Sequence, residues 1–322
     1  MSAIFRIRVL VILILCAGSV SADDAYTAEQ IVAAWKQSGQ KITQFEATYA
    51  LETTMDVVGR GNSSDPFGEP PATGAKLQNE LTYCFDGAKR AYRYSGDKQG
   101  FKGIYQQAFQ AVFDGQTYRQ CVSGEIEGIA KPQPMGEIDS RGQISSHLTR
   151  SSKLVPFYLC HAPAAFLHPD GDITSRMTIE RQGVSGKRRY LVVTLDDGLP
   201  DRRTTLLLLP DEDFLPVRWL VEYQGKPIRD LYLRFRKTDS GENYVAGWND
   251  KIDEADGSRS STTNARLSKA TVNQPVAEKF TIDFPVGAYV FEDTPLGRRY
   301  YEQGEDKTLV PISEEEFGSL RE

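Results

Sequence analysis

Hydrophobic and polar residues alternate without interruption along residues 45–57. The odd positions hold Phe45, Ala47, Tyr49, Leu51, Thr53, Met55 and Val57. The even positions hold mostly acidic residues and threonines. Because successive side chains of a β-strand point to opposite faces, this alternation predicts one long strand with a buried face and a solvent-facing one.

A helix is predicted just before this strand. Thr27 and Gln30 have the spacing of a capping box, in which each side chain accepts a hydrogen bond from the other residue's backbone N–H. Ile31 and Trp35 follow at helical spacing and form one apolar stripe. Gly39 is a typical helix stop. We therefore predict a helix that ends at Gly39 and packs its stripe on the sheet.

Two further segments each predict a β-hairpin. The sequences TYCFDGAKRAYRY (residues 82–94) and AVFDGQTYRQC (residues 111–121) both place Asp-Gly between runs that contain aromatic residues. Asp-Gly favours a tight two-residue turn, because both central residues of a type I′ turn need a positive φ. Such turns are structural, and we assign them no active-site role.

The second half of the chain, from Ile173 onward, is typical of strand after strand. One strand face is shared by Leu215, Val217, Trp219 and Val221, and another by Leu231, Leu233 and Phe235. Residues 144–167 are apolar but interrupted by Pro156 and Pro163, which favours a helical or irregular flap. About nine or ten strands with two helical regions predict an α+β protein with an antiparallel sheet. Three arrangements would cover the apolar face of such a sheet. The sheet closes on itself, it stacks on a second sheet, or it curls around the helices and leaves a cavity.

The first residues are typical of a secretory signal peptide. Arg6 and Arg8 precede an apolar run over residues 9–15, and small residues lead to Ala22. The run is about half the roughly 20 residues that a membrane span needs. We therefore predict a leader over residues 1–22, export to the periplasm or cell envelope, and no integral membrane segment. The formal net charge of −6 at pH 7 argues against nucleic-acid binding, which needs a clustered basic surface.

Four segments resemble the LolA/LppX-like family of exported lipoprotein and lipid carriers. They are EQIVAAWKQSGQKITQFEATYALETT, FDGQTYRQC, DFLPVRWLVEYQGKPIRDLYLRF and VNQPVAEKFTIDFPVGAYVFED, and the resemblance extends as a pattern over most of residues 25–295. It implies an α+β fold in which a strongly curved antiparallel half-barrel wraps around the N-terminal helix and the second helical or irregular flap. It also implies a single domain over residues 23–322, with residues 295–322 as a C-terminal extension.

In that family an apolar cavity between sheet and helices holds acyl chains. The resemblance therefore implies an exported, non-catalytic carrier or binder of a lipid, a lipoprotein acyl chain or another apolar ligand in the bacterial cell envelope. The alternative is an envelope structural or interaction protein with the same fold, whose core is filled by its own side chains. The implied cavity-lining residues are Trp35, Phe45, Tyr49, Leu51, Trp219, Val221, Leu231 and Leu233.

No motif in the sequence predicts an enzyme or a bound cofactor. The segment CHAPAAFLHPDGD gathers Cys160, His161 and His168, but prolines separate the two histidines and their spacing does not match common zinc sites. Cys160 beside His161 is a poor thiol–imidazole pair, because sequence neighbours rarely face each other productively. We therefore expect no metal, no cofactor and no catalytic residue.

Three cysteines remain after the predicted cleavage. Cys84 and Cys121 both adjoin the Asp-Gly hairpins, which makes them the candidate disulfide pair in an oxidising compartment. The alternative is that both, together with Cys160, are buried thiols that act as small hydrophobic side chains.

Overall fold

The computed structural model describes residues 26–57, 74–99, 104–125, 133–143, 145, 148, 151–169, 171–186, 188–254, 259–277 and 280–319. The predicted leader, residues 1–22, lies outside the described residues.

The chain builds the first part of its sheet as a meander of six strands. They are β1 Gln44–Val57, β2 Ala75–Asp86, β3 Lys89–Gln99, β4 Ile104–Phe113, β5 Tyr118–Gly124 and β6 Met135–Asp139. Each strand pairs antiparallel with the next. The predicted alternation in β1 is confirmed, since Phe45, Ala47, Tyr49 and Leu51 are all buried.

Both predicted hairpins form, but neither turn is the expected two-residue Asp-Gly turn. In the first, Gly87 and the residue after it make the turn, and Gly87 takes a positive φ of 58°. The second turn spans residues 114–117. Asp114 stabilises it by accepting hydrogen bonds from two backbone N–H groups, at 2.9 and 2.7 Å. The Asp therefore acts as a turn acceptor, which its short side chain permits.

A second meander of seven strands returns to the middle of the sheet. They are β7 Met177–Ser185, β8 Arg188–Leu195, β9 Arg202–Leu209, β10 Leu215–Tyr223, β11 Lys226–Lys237, β12 Asn243–Asp253 and β13 Arg259–Val272. A short 3₁₀ turn, Pro210–Glu212, lies between β9 and β10. β13 pairs antiparallel with β1, so the two meanders join into one continuous sheet.

Three C-terminal strands extend the same sheet. They are β14 Tyr289–Thr294, β15 Gly297–Gln303 and β16 Leu309–Ile312. β14 pairs parallel with β6, and the strand order is β16-β15-β14-β6-β5-β4-β3-β2-β1-β13-β12-β11-β10-β9-β8-β7. The sheet is open, curved and otherwise antiparallel, which confirms the α+β half-barrel. Within the described ranges it has sixteen strands, more than predicted, because short strands such as β6 and β16 carry no clear alternation.

The first helix, α1 Ala28–Lys41, packs on the concave face of the sheet. Its predicted capping box is present, with Thr27 N–H donating to Gln30 Oε1 at 2.9 Å and Gln30 N–H donating to Thr27 Oγ1 at 3.3 Å. Gly39 does not end the helix, which continues to Lys41. A Cβ at Gly39 would overlap the backbone oxygen of His161. Gly39 therefore permits a close approach between two segments rather than stopping the helix.

Residues 152–169 and 171–176 precede β7 in the chain and lie on the concave face of the sheet. The segment contains a 3₁₀ turn Ser152–Leu154, α2 Val155–His161, α3 Pro163–Leu167 and a second 3₁₀ turn Ile173–Arg176. Pro156 and Pro163 lie in the first turns of α2 and α3, where a missing N–H costs no hydrogen bond. Over residues 152–161 and 163–167, the predicted flap is thus helical. A last helix, α4 Glu314–Ser319, follows β16.

The convex face of the half that contains β2 to β6 is covered by residues 280–290, which form a second hydrophobic core with Cys84 and Cys121. The predicted disulfide between these cysteines is wrong. Cys84 lies on β2 and Cys121 on β5, with β3 and β4 between them. Three strand spacings of about 4.8 Å separate them by about 14 Å along the sheet, whereas a disulfide needs Cα atoms within about 7 Å. Both residues, and Cys160, are buried thiols.

Candidate functional site

A cavity of about 520 Å³ lies between the concave face of the sheet and the turn Ser152–Leu154. We call it the main cavity. Six neighbouring strands, from β4 through β1 to β12, supply most of its wall. Its volume falls within the roughly 300–1,000 Å³ that is typical of small-molecule sites. The apolar and aromatic wall residues are Leu51, Met55, Leu77, Tyr92, Tyr94, Phe109, Trp248 and Ile252.

Strand register brings these side chains to one surface. Tyr94 of β3 lies opposite Phe109 of β4, and cross-strand partners share a face of the sheet. On the other side of the cavity, Ala265 of β13 lies between Leu51 of β1 and Trp248 of β12. The register thus places Leu51 and Trp248, both in the cavity wall, on the same face of the sheet.

Lys153 brings a positive charge to this wall. It lies in the turn before α2, and its Nζ is 2.9 Å from the centre of the Tyr94 ring. Among the described residues, no carboxylate forms an ion pair with Lys153. Burial, and then the charge of nearby Lys98, lower the pKa of Lys153 to about 7. The ammonium group is thus poorly solvated and compensated mainly by an aromatic face.

The two carboxylates of the wall already have partners. Asp250 accepts hydrogen bonds from Arg229 Nε at 3.0 Å and from Arg229 Nη2 at 2.6 Å. Asp97 accepts from the backbone N–H of Gln78 at 2.7 Å and from the side-chain amide of Gln106. Asp250 is therefore paired with a cation, whereas the donors to Asp97 are neutral N–H groups.

Asn79 is a buried amide next to the main cavity. It lies on the concave face of β2, opposite Leu51 of the cavity wall, and is 8% exposed. Neither Nδ2 nor Oδ1 has a hydrogen-bond partner within the described part of the chain. An unpartnered buried amide costs about 1–3 kcal/mol. The protein therefore keeps an unsatisfied polar group beside the wall of the main cavity.

Packed aromatic rings separate the main cavity from a second one. The Trp248 ring in the main-cavity wall lies 5.6 Å from the Phe157 ring and 5.0 Å from the Tyr49 ring, measured between centroids. Phe157 also stacks on Tyr83 at 4.6 Å, and both line a second cavity of about 310 Å³. These rings form a partition across the interior of the half-barrel.

The second cavity lies where α1 and α2 end, and its wall includes Arg90, Tyr158 and His161. The His161 ring centroid lies 5.3 Å from those of Phe45 and Phe85, and its Nε2 has no hydrogen-bond partner among the residues described. Burial, and then the Arg90 charge, lower the pKa of His161 to about 4. The imidazole is therefore neutral at pH 7.

The eight residues predicted to line a cavity all lie in one buried core, but of these only Leu51 is in the wall of the main cavity. Trp35 donates from Nε1 to a backbone oxygen at 2.8 Å, and the Tyr49 hydroxyl donates to another at 2.7 Å. Trp219 packs edge-on against Phe166, with centroids 5.7 Å apart. The others are Phe45, Val221, Leu231 and Leu233. Side chains thus fill the space beneath α1, and the open volume lies beside the turn that precedes α2.

Sequence reasoning missed most of the main-cavity wall. Tyr92 and Tyr94 alternate along β3, and the parity argument used for β1 would have placed them on the concave face. Trp248 and Ile252 lie in the second half of the chain, where the sequence predicted successive strands without assigning these two residues to a face. Lys153 carried no signal, because a lysine between two serines and a leucine is typical of any exposed turn.

Cys160 and His161, the thiol and the imidazole considered from the sequence, have different surroundings. Cys160 Sγ donates to the backbone oxygen of Asn243 at 3.5 Å, and burial raises the pKa of its thiol. It therefore has surroundings different from those of His161. Over the described ranges, no three His, Cys, Asp or Glu side chains converge as metal ligands. The same ranges contain no helix with the length and apolar character needed to cross a membrane.

No protein-family model matches the sequence, and no curated protein is significantly similar to it. Among solved structures, the chain is similar to a LolA superfamily protein from Nitrosomonas europaea. The two are 12% identical, and the match covers 81% of this chain and 100% of the other, with a TM-score of 0.39. The chain is also similar to a DUF1329 family protein from Desulfovibrio piger, at 11% identity over 78% of this chain and 93% of the other, with a TM-score of 0.38.

Proposed function

We propose that the protein is a non-catalytic binder and carrier of an apolar chain, such as the acyl chain of a lipid or of a lipoprotein, in the bacterial cell envelope. The observation that carries this proposal is the main cavity, with its volume of about 520 Å³ and its apolar and aromatic wall. Each methylene group that moves from water into such a wall gains about 0.8 kcal/mol. An acyl chain is the ligand whose chemistry matches the apolar and aromatic part of this wall.

The competing hypothesis is an envelope structural or interaction protein with a self-filled core. The filled space beneath α1 favours it, since Trp35, Tyr49 and Trp219 pack against the protein itself. The two hypotheses differ in one measurable property, which is whether the main cavity binds an apolar chain. Native mass spectrometry of gently purified protein provides a first test, because a carrier is expected to retain a lipid-sized mass.

Trp248 offers a direct test, because it lines the main cavity while Trp35 and Trp219, the other two tryptophans of the chain, do not. We expect a terminally brominated fatty alcohol to quench part of the tryptophan fluorescence. In a Trp248→Phe variant, the remaining fluorescence should stay nearly unquenched. Equal fractional quenching in both proteins would contradict binding in this cavity.

Adjacent residues of β1 provide a matched pair of blocking variants. Met55 lines the main cavity, whereas Thr54 points to the opposite face of the same strand. By calorimetry, Met55→Trp should abolish binding of an unlabelled fatty alcohol, and Thr54→Trp should leave it intact. Affinity should rise about fourfold with each added methylene until the cavity is full. An affinity that does not depend on chain length would support the self-filled alternative.

A further inference from the structure

The formal charges around the main cavity do not sum to zero. Lys98 of β3 donates from Nζ to Gln107 Oε1 at 3.1 Å, close to Asp97 in the same wall. Asp250 is matched by the charge of Arg229, which lies behind it. When Lys98 is counted against Asp97, the charge of Lys153 has no counterpart among the described residues.

Lys153 also lies where its positive charge is energetically unfavourable. A lysine that serves only packing extends its ammonium group into water and leaves its methylenes on the apolar surface. Here the Nζ instead lies over the Tyr94 ring, inside the wall. A hydrogen bond from the sheet holds the turn that carries Lys153, because Arg229 Nη2 of β11 donates to the backbone oxygen of Ser152 at 2.9 Å. The structure thus positions an uncompensated cation beside an apolar volume.

An anionic group bound at this point would supply the missing charge, and the apolar wall would hold the rest of the molecule. As an extension that rests on the function proposed above, we infer that the ligand is an amphiphile with one anionic group, a carboxylate or a phosphate monoester. Lys153 binds this group while the apolar chain lies against Leu51, Leu77 and Trp248. The unpartnered amide of Asn79 lies on the same side of the sheet as this wall.

The inference sets the direction of a pH effect. In the free protein Lys153 loses its proton near pH 7, and a bound anion favours the protonated form. Affinity for the anion should therefore fall as pH rises above 7, by up to about tenfold per pH unit. On β3, burial raises the pKa of Tyr92, and that of Tyr94 to about 12, so both stay neutral in this range. The other charged groups that face the cavity are Asp97 and Lys98 of β3 and Asp250 of β12, which is paired with Arg229 of β11.

The test compares three probes with the same terminally brominated chain, namely a fatty alcohol, a fatty acid and an alkyl phosphate. Quenching of Trp248 reports binding of each. We expect the protein to bind the acid or the phosphate at least about tenfold more tightly than the alcohol below pH 7. The preferred anion distinguishes a carboxylate ligand from a phosphate ligand. Lys153→Met should abolish the preference, and Lys153→Arg should keep it while removing its decrease above pH 7.

Lys76→Met is the matched control, because Lys76 is exposed on β2 next to Leu77 of the cavity wall. It should keep both the preference and its pH dependence. Equal affinity for the alcohol and both anions, or an undiminished preference in Lys153→Met, would overturn the inference while the carrier function stands. If none of the three probes quenches Trp248, the proposed function itself fails.

Discussion

Arg229 and Asp250 form a bidentate ion pair between β11 and β12. The same guanidinium also donates a hydrogen bond to the turn that carries Lys153. Their side chains are only 13% and 8% exposed. The Arg229 guanidinium also lies 4.9 Å from the centre of the Trp219 ring. The pair therefore links the buried core to the wall of the main cavity.

Removing one partner of this pair should be costly. Arg229→Met leaves the Asp250 carboxylate buried without its partner, and we expect the free energy of unfolding to fall by about 3–5 kcal/mol. Urea denaturation measures the loss. The double variant Arg229→Met, Asp250→Leu should recover much of it, because no unpaired charge remains.

The neighbouring pair of Arg218 and Asp230 is the control, with similar geometry but side chains that are 30% and 22% exposed. Arg218→Met should cost about 1 kcal/mol or less, since water can solvate the remaining carboxylate. Equal losses in Arg218→Met and Arg229→Met would show that burial does not determine the cost.

Lys153→Met should stabilise the free protein. The folded pKa of about 7 lies below the ordinary value of 10.5, so between these values the unfolded chain binds a proton that the folded protein does not. Stability therefore falls as pH decreases from 10.5 to 7 and stays lowered below that. At pH 7 we expect a gain on the order of 2 kcal/mol in the variant, which should vanish as pH approaches 10.5. Urea denaturation as a function of pH checks this.

The control for this prediction is Lys76→Met, whose exposed charge should change stability little at any of these pH values. The combination expected of Lys153→Met, a more stable protein that binds an anionic amphiphile less well, is the signature of a residue kept for binding rather than for folding. A loss of stability at pH 7 would contradict this assignment.

Gly39→Ala should destabilise the protein although Gly39 lies within a helix. In an open helix this change gains about 1 kcal/mol. Here the new Cβ would overlap the backbone oxygen of His161, so α1 and α2 must move apart. We expect a loss of more than about 1 kcal/mol in the free energy of unfolding, measured by denaturation.

Gly318 of α4 provides the comparison, because a Cβ there meets nothing within 4 Å. Gly318→Ala should therefore be neutral or stabilising. A gain in stability for Gly39→Ala would show that the contact between the two helices is loose.

Features that depend on neighbouring residues were predictable. The capping box of Thr27 and Gln30 follows from spacing alone, and the alternation along β1 reports which parity is buried. Gly39 was misinterpreted because its role depends on His161, which is far away in sequence. The Cys84–Cys121 disulfide failed for a similar reason, since adjacency to two hairpins says nothing about how many strands lie between them.

The sequence by itself determined that Tyr49 and Leu51 face the interior of a large antiparallel sheet, because strand parity is a local property of the backbone. Only the tertiary structure decided that Tyr49 packs against Phe157 while Leu51 faces an open cavity. What covers a buried face depends on sheet register and on the path of residues 152–169, and both are set by contacts distant in sequence. The position of Lys153 in the cavity wall is decided at that same level.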